Sequence, residues 1–280
     1  MKADCHIHAV LDGVAWKNAL QRHKGRPDEV FIRKMLATYQ AQGYTYLRDG
    51  GDRWGAGLLA RKLAPEYGIT YRTPGANLCQ NGCYGSFIGI TYDNLEEYRN
   101  LVVNARENGM DFVKIMISGL MDFNVYGRLS EPGMSPNQIR ELVHIAHQEG
   151  MAVMAHANGT ETVLPAAEAG VDSVEHGAYL HEEALYAMKQ AGTVWVPTLS
   201  TVGNLRGKGR FCEDSVQKIL DSALQNVESF HRIGGLVAPG TDAGAWAVPH
   251  GSGTELPLLY QAGVTADALQ KGIDAIMDKF

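Results

Sequence analysis

Short apolar runs alternate along this chain of 280 residues with longer stretches in which apolar side chains recur every three or four positions. The short runs predict strands and the periodic stretches predict helices. Strands are predicted to end at or near Ile7, Leu47, Asn77, Ile117, Ala155, Glu175, Pro197 and Pro239. Helices are predicted over 27–42, 94–108, 138–148, 161–169, 182–190 and 213–233.

This alternation of strands and helices predicts parallel strands that are joined by crossover helices. Eight such units favour a closed (β/α)₈ TIM barrel, an α/β fold, as a single domain over residues 1–280. The third strand is the weakest prediction, because the segment RTPGANLCQNGCYGS around it is rich in glycine, proline and asparagine. Ser135 and Pro136 are typical of an N-cap and first helical turn, and they place the start of the third helix.

Composition and charge narrow the class of partner. Apolar residues make up 45% of the chain, charged residues make up 20%, and the net charge is −6. These values are typical of an ordinary globular protein and argue against nucleic acid as a partner. No apolar run is long enough to span a membrane, and the start MKADCHIH has no leader-like apolar core.

The four cysteines, Cys5, Cys79, Cys83 and Cys212, have no disulfide or zinc-ribbon spacing. We therefore expect free thiols, a cytoplasmic protein and a small-molecule substrate. Both a monomer and a homo-oligomer agree with the sequence.

Unusual polar residues stand where five of the predicted strands end. In a (β/α)₈ barrel the carboxyl ends of the strands meet at one face, and side chains placed there converge on one site. The residues at these positions are His6, His8, Lys114, His156, His176 and Asp242.

Each of these residues also has an ordinary structural explanation. His6 and His8 could be hydrogen-bonded imidazoles in a strand, and Lys114 could extend its amine to solvent. His156 could cap a helix, while Asp242 could stabilise the turn GTDAG. His176 could equally be a satisfied core histidine. Taken together, these explanations require six independent coincidences, so the sequence favours a metal site.

Imidazole nitrogens and carboxylate oxygens are ligands for Zn²⁺ and related divalent ions. Four histidines and one aspartate exceed the needs of one tetrahedral ion, which indicates two ions. A lysine ammonium has no acceptor, but a neutral Lys114 amine can add CO₂ and become a carbamate with two bridging oxygens. Two such ions generate a hydroxide at neutral pH, and Asp242 would carry its proton to the leaving group.

The motifs HIH, VKIM, AHANG, VEHGAYL and GTDAG together resemble the amidohydrolase superfamily, in particular its branch of prolidase-like and imidazolonepropionase-like enzymes. The resemblance implies a binuclear zinc site. Its first ion would be bound by His6, His8, Lys114 and Asp242, and its second by Lys114, His156 and His176. The small β-sandwich usual in this family is expected to be absent here.

The predicted function is therefore metal-dependent hydrolysis of an amide-type C–N bond, in a dipeptide or cyclic amide, through a metal-bridging hydroxide. His250, Arg128 and Tyr126 lie in loops after strands and are the candidate substrate-binding residues. Three alternatives stay open: a mononuclear deaminase, a lactone or phosphotriester hydrolase of the same superfamily, and a catalytically inactive metal-binding barrel. Lys114 argues against the deaminase, because those enzymes tend to lack a lysine in this strand.

Overall fold

The structure, a computed structural model, describes all 280 residues and contains ten strands, each paired in parallel with a neighbour. The strands are β1 (Ala3–Ile7), β2 (Tyr46–Asp49), β3 (Thr70–Arg72), β4 (Asn77–Gln80), β5 (Ile90–Tyr92), β6 (Val113–Met116), β7 (Val153–Ala157), β8 (Ser173–His176), β9 (Val194–Val196) and β10 (Leu236–Val237).

The strands form a closed barrel rather than an open sheet. One sheet has the order β1-β2-β3, and the other has the order β10-β9-β8-β7-β6-β4-β5. The β10 side closes onto β1 through backbone hydrogen bonds from Cys5 to Pro239, from Asp242 to His6 and from His8 to Ala243. The prediction of an α/β TIM barrel is therefore confirmed.

The third barrel strand differs from its prediction, because it consists of two short pieces. Strand β3 pairs with β2, whereas β4 pairs with β6 on the other side. Pro74 and Gly75 lie between the two pieces. Proline has no N–H for the ladder and Gly75 has a left-handed φ of +73°, so the ladder breaks there. Strand β5 then extends the sheet beyond the barrel wall.

Eleven α-helices surround the strands, and all six predicted helices are among them. Five shorter or terminal helices were not predicted. The helices are α1 (Trp16–His23), α2 (Glu29–Ala41), α3 (Ala56–Leu63), α4 (Leu95–Glu107), α5 (Pro136–Gln148), α6 (Thr160–Glu168), α7 (Glu182–Ala191), α8 (Ser200–Gly203), α9 (Glu213–Arg232), α10 (Glu255–Gln261) and α11 (Ala266–Lys279).

Helix α5 shows how the sequence sets a helix start. Ser135 is its N-cap, and the Ser135 and Gln138 side chains each bond the other residue's backbone N–H in a reciprocal capping box. Pro136 occupies the first turn, as predicted, so the helix starts two residues before the predicted position.

The lower part of the barrel is filled with apolar side chains, including Cys5, Phe112, Met154, Val194 and Phe280. This packed layer forms the floor beneath the polar strand ends and keeps water from entering from below. None of the helices combines enough length with enough apolar residues to cross a lipid bilayer.

Candidate metal centre

All six predicted ligand residues line one cavity of about 430 Å³ at the carboxyl ends of the strands. The residues are His6, His8, Lys114, His156, His176 and Asp242. They come from five different barrel strands or from the turns directly after them. The structure therefore brings together in space what the sequence separates by up to 236 positions, from His6 to Asp242.

His6 near the end of β1 and His8 just after it both line the cavity, and the pairing of β1 with β2 has an irregularity at this end of the strand. Asp4 pairs with Leu47 and Ile7 with Asp49, so three steps along β1 face only two along β2. This extra residue is a β-bulge, and it shifts the alternation of the strand by one position. Cys5 packs in the barrel floor below, and His6 and His8 still reach the cavity above.

His6, His8 and Asp242 form the tightest group of donor atoms. The Nε2 atoms of His6 and His8 are 3.4 Å apart, and each lies within 3.4 Å of Oδ1 of Asp242. Their ligand atoms all fall within 4.8 Å of one another, a spacing suited to a shared metal ion. The backbone hydrogen bond from Asp242 to His6 that closes the barrel fixes this arrangement.

His156 and His176 form a second group beside the first. Their ring centroids are 4.6 Å apart, and the His176 ring lies 5.1 Å from that of His6. Thr198 Oγ1 lies 2.7 Å from Nδ1 of His176, which orients that ring. Lys114 lines the same cavity on β6 and is only 1% exposed.

Burial keeps three of the imidazoles, those of His6, His156 and His176, uncharged, which is the state in which they bind metals. Burial, helped by the charge of Lys114, lowers the pKa of His6 to about 4 and that of His156 to about 3. Burial also lowers the pKa of His176 well below its usual value, and the neighbouring His156 adds to this effect. Burial raises the pKa of Asp242, but the neighbouring His6, the hydrogen bond with His8 and the Lys114 amine together outweigh it and lower that pKa below its usual value, so this carboxyl stays ionised.

Three polar atoms of the group have no hydrogen-bond partner although they are buried. They are Nζ of Lys114, Nδ1 of His8 and Oδ1 of Asp242. Buried polar atoms are normally satisfied, and an unpaired buried amine is costly. Burial lowers the pKa of Lys114 to about 8, which increases the uncharged fraction of the amine. The unpaired atoms and the nitrogen and oxygen donors around them fit a site for divalent ions.

Glu175 also belongs to the candidate site, because it contacts one of the predicted ligands, and the sequence analysis missed it. Its Oε2 lies 2.6 Å from Nδ1 of His6, and its Oε1 accepts hydrogen bonds from Arg48 and Ser173. Burial raises the pKa of Glu175, but the Arg48 guanidinium and the His6 hydrogen bond outweigh it and lower the pKa to about 2. The carboxylate therefore accepts a hydrogen bond from the Nδ1–H of His6. This leaves Nε2 without a proton and free to bind a metal.

Neighbouring residues of a strand normally face opposite sides, yet Glu175 and His176 both reach the barrel interior. His176 has a left-handed φ of +68°, which breaks the alternation. Asp242, at +56°, and Thr198, at +48°, have the same unusual backbone. Such conformations cost about 1–3 kcal/mol each in non-glycine residues and concentrate at functional sites.

The sequence did contain a signal for Glu175, namely an acidic residue directly before the histidine in DSVEH.

The three candidate substrate-binding residues are not among those that line this cavity, and their contact with substrate stays a prediction. His250 lies behind Leu11, with Nε2 at 2.9 Å from the Leu11 carbonyl oxygen and Nδ1 at 3.3 Å from Tyr39 Oη. Arg128 is exposed and pairs with Asp122 at 3.7 Å, while Tyr126 packs edge-to-face on Tyr179. Loop position alone did not indicate which way these side chains turn.

Other loops supply the cavity wall instead. Tyr84, after β4, lies with its ring centroid 4.8 Å from that of His156. Trp16 and Phe87 stack edge-to-face at 5.5 Å, and Arg210 belongs to the wall formed between α8 and α9. Nothing in the sequence marks these residues, because only the folded path of the loops and the start of α1 bring them to the cavity.

Comparison with known proteins agrees with this geometry. The sequence matches the amidohydrolase family over residues 3–280, so the chain belongs to that family. The ochratoxinase of Aspergillus niger is 29% identical over 193 residues. This match covers 66% of the chain and 38% of ochratoxinase, so the matched segment spans well under half of that relative.

Solved structures show the same fold. A Xaa-Pro dipeptidase with methionine in its active site aligns with a TM-score of 0.80 at 21% identity, covering 99% of this chain and 75% of the other. Ochratoxinase of A. niger aligns with a TM-score of 0.75 at 23% identity, covering 98% of this chain and 70% of the other. These neighbours show that the chain has the same fold as both enzymes over nearly its whole length.

Proposed function

We propose that this protein is a metal-dependent hydrolase that cleaves an amide-type C–N bond in a small substrate, such as a dipeptide or a cyclic amide. The observation that carries the proposal is the convergence of six donor residues in which the Lys114, His8 and Asp242 atoms lack partners. The family membership and the amide-cleaving names among the relatives support the reaction class.

In the proposed site, His6, His8 and Asp242 hold one divalent ion, most simply zinc. His156 and His176 hold a second ion, and Lys114 contributes to both. When bound, such ions acidify water and polarise a carbonyl group at neutral pH. The protein supplies the neutral imidazoles, the ionised carboxylate and a cavity that is shielded from below by the packed barrel floor.

Lys114 would act as a carbamate in this proposal. Its uncharged nitrogen bonds to the carbon of CO₂, one proton leaves, and an amine without acceptors becomes an anion with two oxygens. A pKa of about 8 makes the uncharged amine accessible near neutral pH. Conversion to an anion would also balance the cations and remove the cost of an unpaired ammonium in the barrel.

Asp242 is the proposed proton carrier. Its carboxylate stays ionised in the buried site, so it can accept a proton from the attacking water and donate it to the leaving nitrogen. Its Oδ1 is directed toward the two histidines of β1, whereas its backbone is held by β1 itself. This rigid attachment keeps the carboxylate in one position during the reaction.

The proposal is tested with zinc-loaded protein and a panel of dipeptides, N-acyl amino acids and cyclic amides. We expect turnover of at least one amide, loss of turnover on chelation and recovery when zinc is added. Asp242→Asn should retain the fold and lose roughly a hundredfold or more of the activity, as for removal of a general acid–base. Ammonia release with one ion per chain, or no turnover at full metal occupancy, would contradict the proposal.

A further inference from the structure

A cluster of aromatic side chains forms one part of the cavity rim. Phe123, Phe211 and Trp246 come from the loops after β6, between α8 and α9, and after β10. The ring centroids of Phe123 and Phe211 are 5.1 Å apart, and those of Phe211 and Trp246 are 6.1 Å apart. We call these three residues the rim cluster. Its rings, inclined to one another at 49° and 86°, form an apolar part of the wall that a molecule entering the cavity can contact.

Arg210 lies on the rim cluster and is held there by stacking. Its guanidinium carbon is 4.2 Å from the ring centroid of Trp246 and 5.3 Å from that of Phe211. No carboxylate of the chain pairs with Arg210. A guanidinium that rests on aromatic faces still presents its N–H donors in a planar fork suited to a bidentate anion. The arginine is therefore oriented but electrostatically unpaired.

Other arginines near the cavity differ from Arg210. Arg206 lies four residues earlier in the same loop and donates to the carbonyl oxygen of Gly203, away from the cavity. Arg128 is paired with Asp122. Arg210 alone of the three lines the cavity wall, and 14 of the 24 residues in that wall are hydrophobic. The Arg210 side chain is exposed, so it is accessible to an anionic group on a molecule that enters the cavity.

The other charges of the cavity lie on its floor. Asp242 is the one carboxylate in the cavity wall. Lys114 is the one lysine or arginine in the wall besides Arg210. Both belong to the buried strand ends, whereas Arg210 is exposed at the rim. An anionic group on a bound molecule is therefore attracted to Arg210, the one cation of the cavity wall that lies at the rim, outside the proposed metal site.

We propose that Arg210 and the rim cluster form an anion subsite that selects substrates with a bulky apolar or aromatic body ending in a carboxylate or similar anion. The substrate class rests on the proposed function, and the subsite itself rests only on the geometry of the rim. The amide to be cleaved would lie toward the floor, the apolar body would pack on Phe211 and Trp246, and the anion would face the Arg210 guanidinium. Arg210 is thus a specificity-determining residue.

A binding experiment on the purified, zinc-loaded protein tests the subsite without any turnover. The probes are 2-naphthalenesulfonate, an anion that binds zinc weakly, and methyl 2-naphthyl sulfone, a neutral molecule of similar shape. We expect the sulfonate to bind more tightly, and Arg210→Met to weaken its binding about tenfold, since a charged hydrogen-bonded pair is lost. Binding of the neutral sulfone should change less than twofold in the same variant.

Arg206→Met is the matched control, because it removes the same charge from the same loop outside the cavity wall. Unchanged sulfonate binding in that control, with loss in Arg210→Met, supports the subsite. Equal losses in both variants, or equal losses for sulfonate and sulfone, overturn it. If no amide is hydrolysed but the sulfonate still depends on Arg210, the proposed reaction fails and the anion subsite stands.

Discussion

At the scale of single residues, the site depends on partners that fix each imidazole in one orientation. His6 is the clearest case, since Glu175 binds its Nδ1 and is itself held by Arg48 and Ser173. The side chains in this series of hydrogen bonds are all buried, so their geometry has little freedom to relax. A carboxylate behind a metal-binding histidine orients the ring and increases its basicity. Glu175 thus orients the His6 ring for metal binding without lining the cavity itself.

Glu175→Gln should weaken zinc binding by roughly 10–100-fold, the usual effect of removing such a partner. The amide keeps the size of the side chain but no longer carries the charge that Arg48 and His6 require. Competition with a fluorescent chelator measures the affinity, and Glu183→Gln on the exposed side of α7 is the control. An unchanged zinc affinity in Glu175→Gln would show that the buried hydrogen bond is only structural.

At the scale of elements, the ends of neighbouring strands confine the histidines of β1. Gly50 directly follows β2, and a Cβ atom on it would lie 2.3 Å from Cε1 of the His8 ring. A methyl group cannot fit there unless the imidazole moves. The glycine is therefore part of the site, although it carries no functional group.

Gly50→Ala should displace His8 and reduce zinc binding at least about tenfold, because one ligand is turned away while the fold is kept. Gly253→Ala is the matched control, since a Cβ there meets no atom within 4 Å and its φ is not left-handed. Metal titration and thermal unfolding of both variants separate a local effect from a global one. Equal zinc affinity in the two variants would contradict the close packing of Gly50 against His8.

A second element-scale feature joins α8 and α10. Glu255, in the first turn of α10, accepts hydrogen bonds from the backbone N–H groups of Leu199 and Ser200 and from the Ser200 hydroxyl. Burial raises the pKa of Glu255 to about 8, and the neighbouring Asp4 carboxylate adds to the effect. The folded protein therefore holds a proton on Glu255 at pH values where the unfolded chain has lost it.

This difference makes stability depend on pH. Between pH 4.5 and 8 the folded state binds more protons at Glu255 than the unfolded state does, so the free energy of unfolding falls as pH rises. The slope is at most about 1.4 kcal/mol per pH unit. We expect denaturant unfolding at pH 5, 6, 7 and 8 to show that the free energy of unfolding falls less with rising pH in Glu255→Gln than in the unchanged protein. Parallel curves for the two proteins would contradict the raised pKa.

At the scale of the whole molecule, a closed barrel gathers residues that are distant in the chain. This part was predictable, because polar residues such as Lys114 and His156 interrupt apolar strands at their ends and parallel strands share one end. The β1 bulge and the left-handed His176 were not predictable, because a single extra or inverted residue leaves the hydrophobic pattern unchanged. The directions of His250 and Arg210 were also hidden, since loop paths depend on contacts that only the folded chain makes.

The most direct test of a shared two-ion site counts the metal held by the purified protein and by Lys114→Met. Methionine keeps a long apolar side chain in the barrel, but it has no amine that could add CO₂ and therefore no carbamate oxygens for the metal ions. Protein loaded with zinc and freed of excess should contain about two ions per chain, as in other two-metal sites. Lys114→Met should lose most of the zinc and the activity, whereas Lys271→Met on exposed α11 should lose neither. Retention of both ions and full activity in Lys114→Met would contradict the bridging role of Lys114.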